Sequence, residues 1–240
     1  MRKRELLTGV ALVTVAASAA ALRRSREPAI ATNETERVRD LYDREAVRYD
    51  SIVRIPERLF FIDGRVWATA QAAGNVLEIA IGTARNLPHY RSEVRLTGVD
   101  ISPAMLAIAQ ERAQALGREI DLRVGDAQDL EFPTERFDSV VGTLALCTIP
   151  DDRRALAEAW RVLRPGGRLV LLEHVRSPQT VVRLLQKVLE PLAIRYAGDH
   201  LLRDPLDHLA NLGFSIEYCA RSRAGIVERV VARKPTTDDV

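Results

Sequence analysis

Cysteine is nearly missing from this chain: there are two in 240 residues, Cys147 and Cys219. Both stand among apolar neighbours in stretches that read as strands or strand ends. Core packing in a reducing compartment is therefore expected, and a disulfide framework is not. The four histidines, His89, His174, His200 and His208, are scattered and show no metal-ligand spacing, so no metal is expected. An excess of one charge is missing too. Lys plus Arg total 35 against 33 Asp plus Glu, a formal +2, which gives no sign of a nucleic-acid groove. Lysine is scarce, since arginine outnumbers it 32 to 3, a bias expected of a GC-rich genome rather than of binding chemistry. There is no internal repeat and no low-complexity tract, and the length suits one sizeable core.

What is there falls into three parts: residues 1–27, a helical stretch over 28–74, and a domain over 75–235. The first part holds an uncharged run, Leu6 to Leu22, between Arg2-Lys3-Arg4 and Arg23-Arg24-Ser25-Arg26. Seventeen residues at about 1.5 Å each span about 26 Å, near the lower limit for a hydrocarbon core of roughly 30 Å. Ala17-Ser18-Ala19 could also pass for a signal-peptidase site. An uncleaved membrane anchor is the leading expectation, with a targeting presequence or a wrongly assigned start as alternatives. Basic residues on both flanks leave its orientation undecided.

Helical spacing then runs from Glu34 to Tyr49, with Thr35 as N-cap, and a second helix is expected over 57–73, opening after Pro56. Beyond it, strands at 75–80, 94–100, 119–125, 137–143 and 168–173 alternate with helices at 84–91, 102–116 and 151–163. That alternation argues for a parallel sheet with helices on both faces. Pro165-Gly166-Gly167 reads as the turn between the last of these helices and its strand. An amphipathic stretch, Val181 to Tyr196, is interrupted by Pro191. A helix at 204–212 and strands at 214–219 and 226–233 follow.

The most informative segment is Asn75-Val76-Leu77-Glu78-Ile79-Ala80-Ile81-Gly82-Thr83-Ala84, followed by Leu96-Thr97-Gly98-Val99-Asp100. An apolar run ends in a turn of small residues, and a second apolar run ends in an aspartate 18 positions after Gly82. That is how a βαβ unit holds an adenosine-containing ligand, the terminal carboxylate taking the ribose hydroxyls. A nicotinamide site uses the same device but wants G-x-G-x-x-G, which this loop fits badly.

The loop instead resembles the E-x-G-x-G-T-G turn of class I S-adenosylmethionine-dependent methyltransferases. Further marks of that family follow in order: Asp100-Ile101-Ser102-Pro103, Gly125-Asp126-Ala127, Phe137-Asp138-Ser139-Val140-Val141 and Arg161-Val162-Leu163-Arg164-Pro165-Gly166-Gly167. Within the superfamily the chain is most similar to the ubiquinone/menaquinone-biosynthesis branch, near the phospholipid N-methyltransferases and membrane-anchored alkyl-thiol methyltransferases. The resemblance implies an α/β, doubly wound Rossmann-like sheet of seven strands, the last antiparallel, under an N-terminal helical lid. It also implies S-adenosyl-L-methionine as cofactor and a small lipophilic acceptor (quinone precursor, amino-lipid or alkyl thiol). The N-terminal anchor, together with a cytosolic cofactor, makes a membrane-associated protein whose catalytic domain faces the cytoplasm the expectation.

Residue by residue, the resemblance sets Glu78, Ala80 and Gly82 along the methionine half and Asp100 on the ribose. Asp126 meets the adenine amino group with Ala127 beside it, and Ile101 and Met105 give apolar contacts to the base. Tyr42-Asp43 and Tyr49-Asp50 resemble the paired Y-D motif of the quinone branch, which places Tyr42 and Tyr49 over the sulfonium, where an electron-rich ring suits a cation. Packing of the helix is the competing reading for both. Thr143 opens a segment, Thr143 to Thr148, similar to the alkyl-thiol enzymes, as are Gln186-x-x-Leu189-Glu190-Pro191 and Arg203-Asp204. His174, ending a strand on the functional edge, could take a proton from a thiol, phenol or enol, or be structural.

The departures are Ala80 and Ala84, where family loops carry glycine. A positive φ would strain alanine by roughly 1–2 kcal/mol, whereas a negative φ would tolerate it. Position 84 is expected to be helical, and Gly82 to need positive φ or close ligand approach. A cofactor-binding protein without transferase activity is the alternative those alanines raise. A nicotinamide-dependent oxidoreductase is the remaining one, disfavoured by the glycine pattern and by the lack of a Tyr-x-x-x-Lys pair.

Overall fold

The computed structural model describes residues 33–236. Helix α1 (Glu34–Phe60) and helix α2 (Gly64–Ala70) precede strand β1 (Asn75–Ile79). Strand β2 (Arg95–Asp100), helix α3 (Pro103–Ala115), β3 (Asp121–Val124), β4 (Phe137–Thr143), α4 (Asp152–Val162) and β5 (Leu163–His174) follow. The chain continues through α5 (Thr180–Ala197), the single turn α6 (Leu206–Leu209), β6 (Ser215–Ser222) and β7 (Val227–Arg233).

The seven strands form one sheet in the order β3-β2-β1-β4-β5-β7-β6. All pairs are parallel except those made by β7, which runs antiparallel to both β5 and β6. The expected fold class is therefore the one observed. Strand period sorts the core into two layers. Leu77, Ile79, Val140, Leu169 and Leu171 face α4 through Leu156 and Ala159. Val76, Val141, Val170 and Leu172 face the layer holding Ala68 of α2 and Leu106 and Ala109 of α3. Chain order reverses between β1 and β4, so the crevice beyond their carboxyl ends is where such sheets take ligands.

Several expectations are corrected. The first N-terminal helix runs on through Pro56 to Phe60, 27 residues in all, and the break before the second falls at 61–63. A mid-helix proline forfeits one backbone bond and costs about 3 kcal/mol in isolation. Here the helix beyond it is held by the Glu57 carboxylate, which pairs with Arg65 and Arg85. The cap is Asn33, whose Oδ1 accepts from the Glu36 amide at 2.9 Å, and not Thr35. No α-helix forms over 84–91; a turn and a 3-10 segment, Leu87–His89, stand there, because Ala84 is left-handed and cannot sit inside an α-helix. Helix α5 likewise passes through Pro191 uninterrupted. The Pro165–Gly167 turn is absorbed into β5 as an irregularity, with the register against β4 jumping between Phe137↔Leu163 and Ser139↔Arg168. Cys219 is exposed rather than packed in apolar surroundings.

The expected membrane-associated placement is also corrected. Among the described residues no helix is long and apolar enough to cross a membrane. The expected anchor, residues 1–27, lies outside the described residues.

Candidate functional site

A pocket opens at the carboxyl ends of β1, β2, β3 and β4, roofed by α1. It brings together nine of the expected residues: Tyr42, Tyr49, Ala80, Gly82, Asp100, Ile101, Met105, Asp126 and Ala127. Val38 of α1 and Leu144, Thr148, Ile149 and Pro150 after β4 complete much of the wall. Glu78, Thr143 and His174 are not at the wall.

The loop after β1 is the site's most constrained backbone. Ala80, Gly82 and Ala84 have φ of 48°, 58° and 56°, so alternate residues are left-handed. This overturns the expected helical φ at 84: two alanines occupy a region that costs an L-residue roughly 1–2 kcal/mol. Neighbouring contacts hold the loop there. The Ile81 amide donates to the Val99 carbonyl at 3.0 Å, and Ile81 Cδ1 lies only 2.5 Å from where a Cβ on Gly98 would stand. Glycine in β2 thus lets the loop settle on its neighbour. Gly82 meets the expectation of positive φ, and a Cβ there would meet nothing within 4 Å.

Asp100 is fixed by backbone alone. Its Oδ2 accepts from the Gly82 amide at 2.8 Å and its Oδ1 from the Ser102 amide at 2.9 Å. Burial raises its pKa to about 6, against the pull of those two amides. A carboxylate has about four acceptor positions, so two remain for the diol of a ribose. The residues present therefore fit an adenosine-containing cofactor. Asp126 is engaged differently, since its carboxylate accepts from both the amide and the side-chain nitrogen of Gln128 at 2.9 Å.

Tyr42 and Tyr49 lie seven residues apart on α1, with rings in an edge arrangement at 6.1 Å. Burial lifts both phenol pKa values well up, so each presents a neutral hydroxyl and an electron-rich ring and neither is a base at neutral pH. Their neighbours Asp43 and Asp50, which the sequence reading left without a role, bind the helix down. The Ser102 hydroxyl and Ala104 amide donate to Asp43 Oδ1 at 2.6 and 3.2 Å. The Thr83 hydroxyl donates to Asp50 Oδ1 at 2.7 Å, and Arg112 pairs with its other oxygen. The repeated Tyr-Asp pair was the available signal.

Glu78 is turned into the protein. Tyr90 Oη and Asn86 Nδ2 donate to its two oxygens at 2.8 and 2.9 Å, and burial raises its pKa to about 7. Asn86 also donates to Thr143 Oγ1 at 2.9 Å, so Thr143 and Glu78 share one brace beneath the loop. His174 sits behind the wall, its Nε2 2.7 Å from Asp199 Oδ1. Burial pulls its pKa down, but the Asp199 carboxylate outweighs that and the net direction is up. Asp138, at the start of β4, is structural: it accepts from the Asn75 amide at 2.8 Å and pairs with Arg164.

The part of the wall after β4 is held by residues far away in sequence. Arg203 donates to the carbonyls of Leu146, Ile149 and Pro150. Glu173 Oε1 accepts from the Ala145 and Leu146 amides at 2.9 and 3.1 Å. Leu144 is itself left-handed, with φ 54°.

Residues 77–171 match the family described as "Methyltransferase domain". The chain is 38% identical over 118 residues to a phosphatidylethanolamine N-methyltransferase of Cereibacter sphaeroides, covering 48% of this chain and 58% of that one. It is 35% identical over 134 residues to a demethylmenaquinone methyltransferase of Thermus thermophilus, covering 55% and 61%. The matched stretches thus span about three fifths of these relatives' length. Among solved structures, the [4+2]-cyclase SpnF superposes with a TM-score of 0.67 at 20% identity, over 86% of this chain and 98% of that one. At that identity the likeness speaks for the fold alone. Residues 77–171 thus carry a match to a methyltransferase domain, in a chain with the class I, S-adenosylmethionine-dependent methyltransferase fold.

Proposed function

We propose that the chain transfers a methyl group from S-adenosylmethionine to a small lipophilic acceptor. The observation that carries this reading is Asp100, a buried carboxylate oriented by two amides at the lip of a pocket, with Gly82 open beside it and two neutral tyrosines opposite. The bound cofactor would supply an electrophilic methyl on a sulfonium. The chain's own part is to orient, to exclude water and to accommodate a cation whose charge disperses as the methyl leaves. Tyr42 and Tyr49 suit that last task, being uncharged and electron-rich. The acceptor would enter along Leu144, Ile149 and Pro150, whose apolar surfaces favour a lipophilic molecule.

The relatives' names support an amino-lipid or a quinone precursor as acceptor, and an alkyl thiol stays in the set through the segment Thr143–Thr148. A cofactor-binding protein without transferase activity is the second reading, favoured by the left-handed Ala80 and Ala84 and by a fold that also serves a cyclase. The test is calorimetry of the full chain with S-adenosylmethionine, S-adenosylhomocysteine and NAD. Transfer of labelled methyl to an aminophospholipid, a demethylated quinone and an alkyl thiol follows. Cofactor binding with transfer to one acceptor is the expected result. Binding of S-adenosylhomocysteine without transfer to any acceptor selects the second reading, and binding of NAD alone overturns both.

A further inference from the structure

Behind the acceptor side of the pocket, three side chains remote in sequence converge. Cys147 comes from the loop after β4, His174 ends β5, and Asp199 follows the left-handed Gly198 that caps α5. One donor atom of each lies within 4.8 Å of the other two. Backbone bonds fix the convergence, since the His200 amide donates to the Cys147 carbonyl at 2.8 Å. Cys147 is buried, and the His174 and Asp199 side chains keep only 11% and 19% exposure.

We propose that Cys147, His174 and Asp199 bind one thiophilic divalent cation, with zinc as its representative. A thiolate, an imidazole and a carboxylate form a donor set that zinc favours, and three protein ligands leave one position for a small ligand. In a tetrahedral site with bonds of about 2.0–2.3 Å, donors stand roughly 3.3–3.7 Å apart. The present separations reach that by small side-chain movements, the His174–Asp199 contact opening from 2.7 Å.

A second observation points the same way. Glu173, 1% exposed and next to His174, has one oxygen on the Ala145 and Leu146 amides, while its other oxygen is buried without a partner among the described residues. A buried acceptor without a donor calls for an explanation, and a neighbouring dication supplies the missing positive charge. Arg203, the nearby guanidinium, is engaged by the carbonyls of Leu146, Ile149 and Pro150. The competing account is a buried hydrogen-bonded His–Asp pair beside an inert thiol. Sequence spacing gave no hint of the group, because its members lie at 147, 174 and 199.

The site does not depend on methyl transfer, so its test reads binding alone. The full-length chain, stripped by dialysis against a chelator, is titrated with Co2+ and then Zn2+. The expected result is one Co2+ per chain, with a thiolate-to-cobalt charge-transfer band and the intense visible bands of a tetrahedral site, displaced by one equivalent of Zn2+. Cys147→Ser abolishes the charge-transfer band, whereas Cys219→Ser keeps it. Because Cys147→Ser could perturb folding, Asp199→Asn is the second variant, expected to keep the band but weaken Co2+ binding about 10- to 100-fold; Glu173→Gln, which positions the loop, weakens it by a similar factor. Absence of a charge-transfer band in the native chain, or its survival in a folded Cys147→Ser variant, overturns the proposal. Unaltered Co2+ affinity in Asp199→Asn would do so as well.

Discussion

The two halves of the pocket are built by different means. At the ends of β1 and β2, the recognition group is set by near neighbours: Asp100 takes the amides of Gly82 and of Ser102 two residues on. Beyond β4, the loop Leu144–Pro150 owes its shape to side chains that arrive from β5 and from beyond α5, namely Glu173 and Arg203. The first half is a backbone device that tolerates change around it. The second is a keystone arrangement, in which one distant guanidinium holds three carbonyls.

Removing the keystone should have the largest effect. Arg203→Ala leaves three carbonyls without their charged donor, and the expected loss of stability is about 2–5 kcal/mol, read from urea unfolding. Turnover should fall further than cofactor affinity if the loop forms the acceptor side, as proposed. Equal losses of the two would erase the distinction between the halves.

An intermediate effect is expected at Asp100. Asp100→Ala should cost roughly 1.5–3 kcal/mol of S-adenosylhomocysteine affinity per charged hydrogen bond lost. Its raised pKa also sets a pH dependence. Ribose hydroxyls donate to the charged form, so affinity holds above pH about 6 and falls about tenfold per unit below it. Stability runs the other way. The folded pKa of about 6 exceeds the ordinary 3.8, so this group's cost is full above 6 and is relieved as pH falls towards 3.8. Calorimetry from pH 5 to 8 should show the acid limb in the native chain and lose it in Asp100→Asn.

The smallest effect sharpens the account of the cofactor loop. Ala80→Gly should relieve left-handed strain and raise stability by about 0.5–1 kcal/mol after the entropy of glycine is counted, with cofactor affinity within a few-fold. A hundredfold gain in affinity would mean instead that alanine compromises the natural site. At Ala84 the same change also removes a methyl with no exposed surface, so its two contributions offset and the melting temperature should barely move.

This contrast explains what the sequence revealed. The sheet was legible because its strands are short apolar runs at regular spacing, and Asp100, Gly82 and Asp126 were legible because they punctuate strand ends. Glu78 was recognised as part of the loop motif, yet its carboxylate turns inward to Tyr90 and Asn86, a choice made by burial that no local pattern announces. The unbroken α1 was hidden by Pro56, since local propensity argues for a break while the Glu57–Arg65–Arg85 cluster overrides it. Arg203 and Asp199 act across distances in sequence that no periodicity encodes.

The two fastenings of α1 have a kinetic consequence. Asp43 holds Ser102, two residues from Asp100, and Asp50 holds Thr83, next to Gly82. The helix is thus tethered beside the residues proposed to meet a nucleoside, by two side chains about two turns apart. Occupancy and tethering then share a free energy, and by reciprocity whatever a ligand does to the fastening, the fastening does to the ligand's escape. If α1 must lift for spent cofactor to leave, both aspartate contacts have to break, so under the proposed function Asp43→Ala or Asp50→Ala is expected to speed cofactor release.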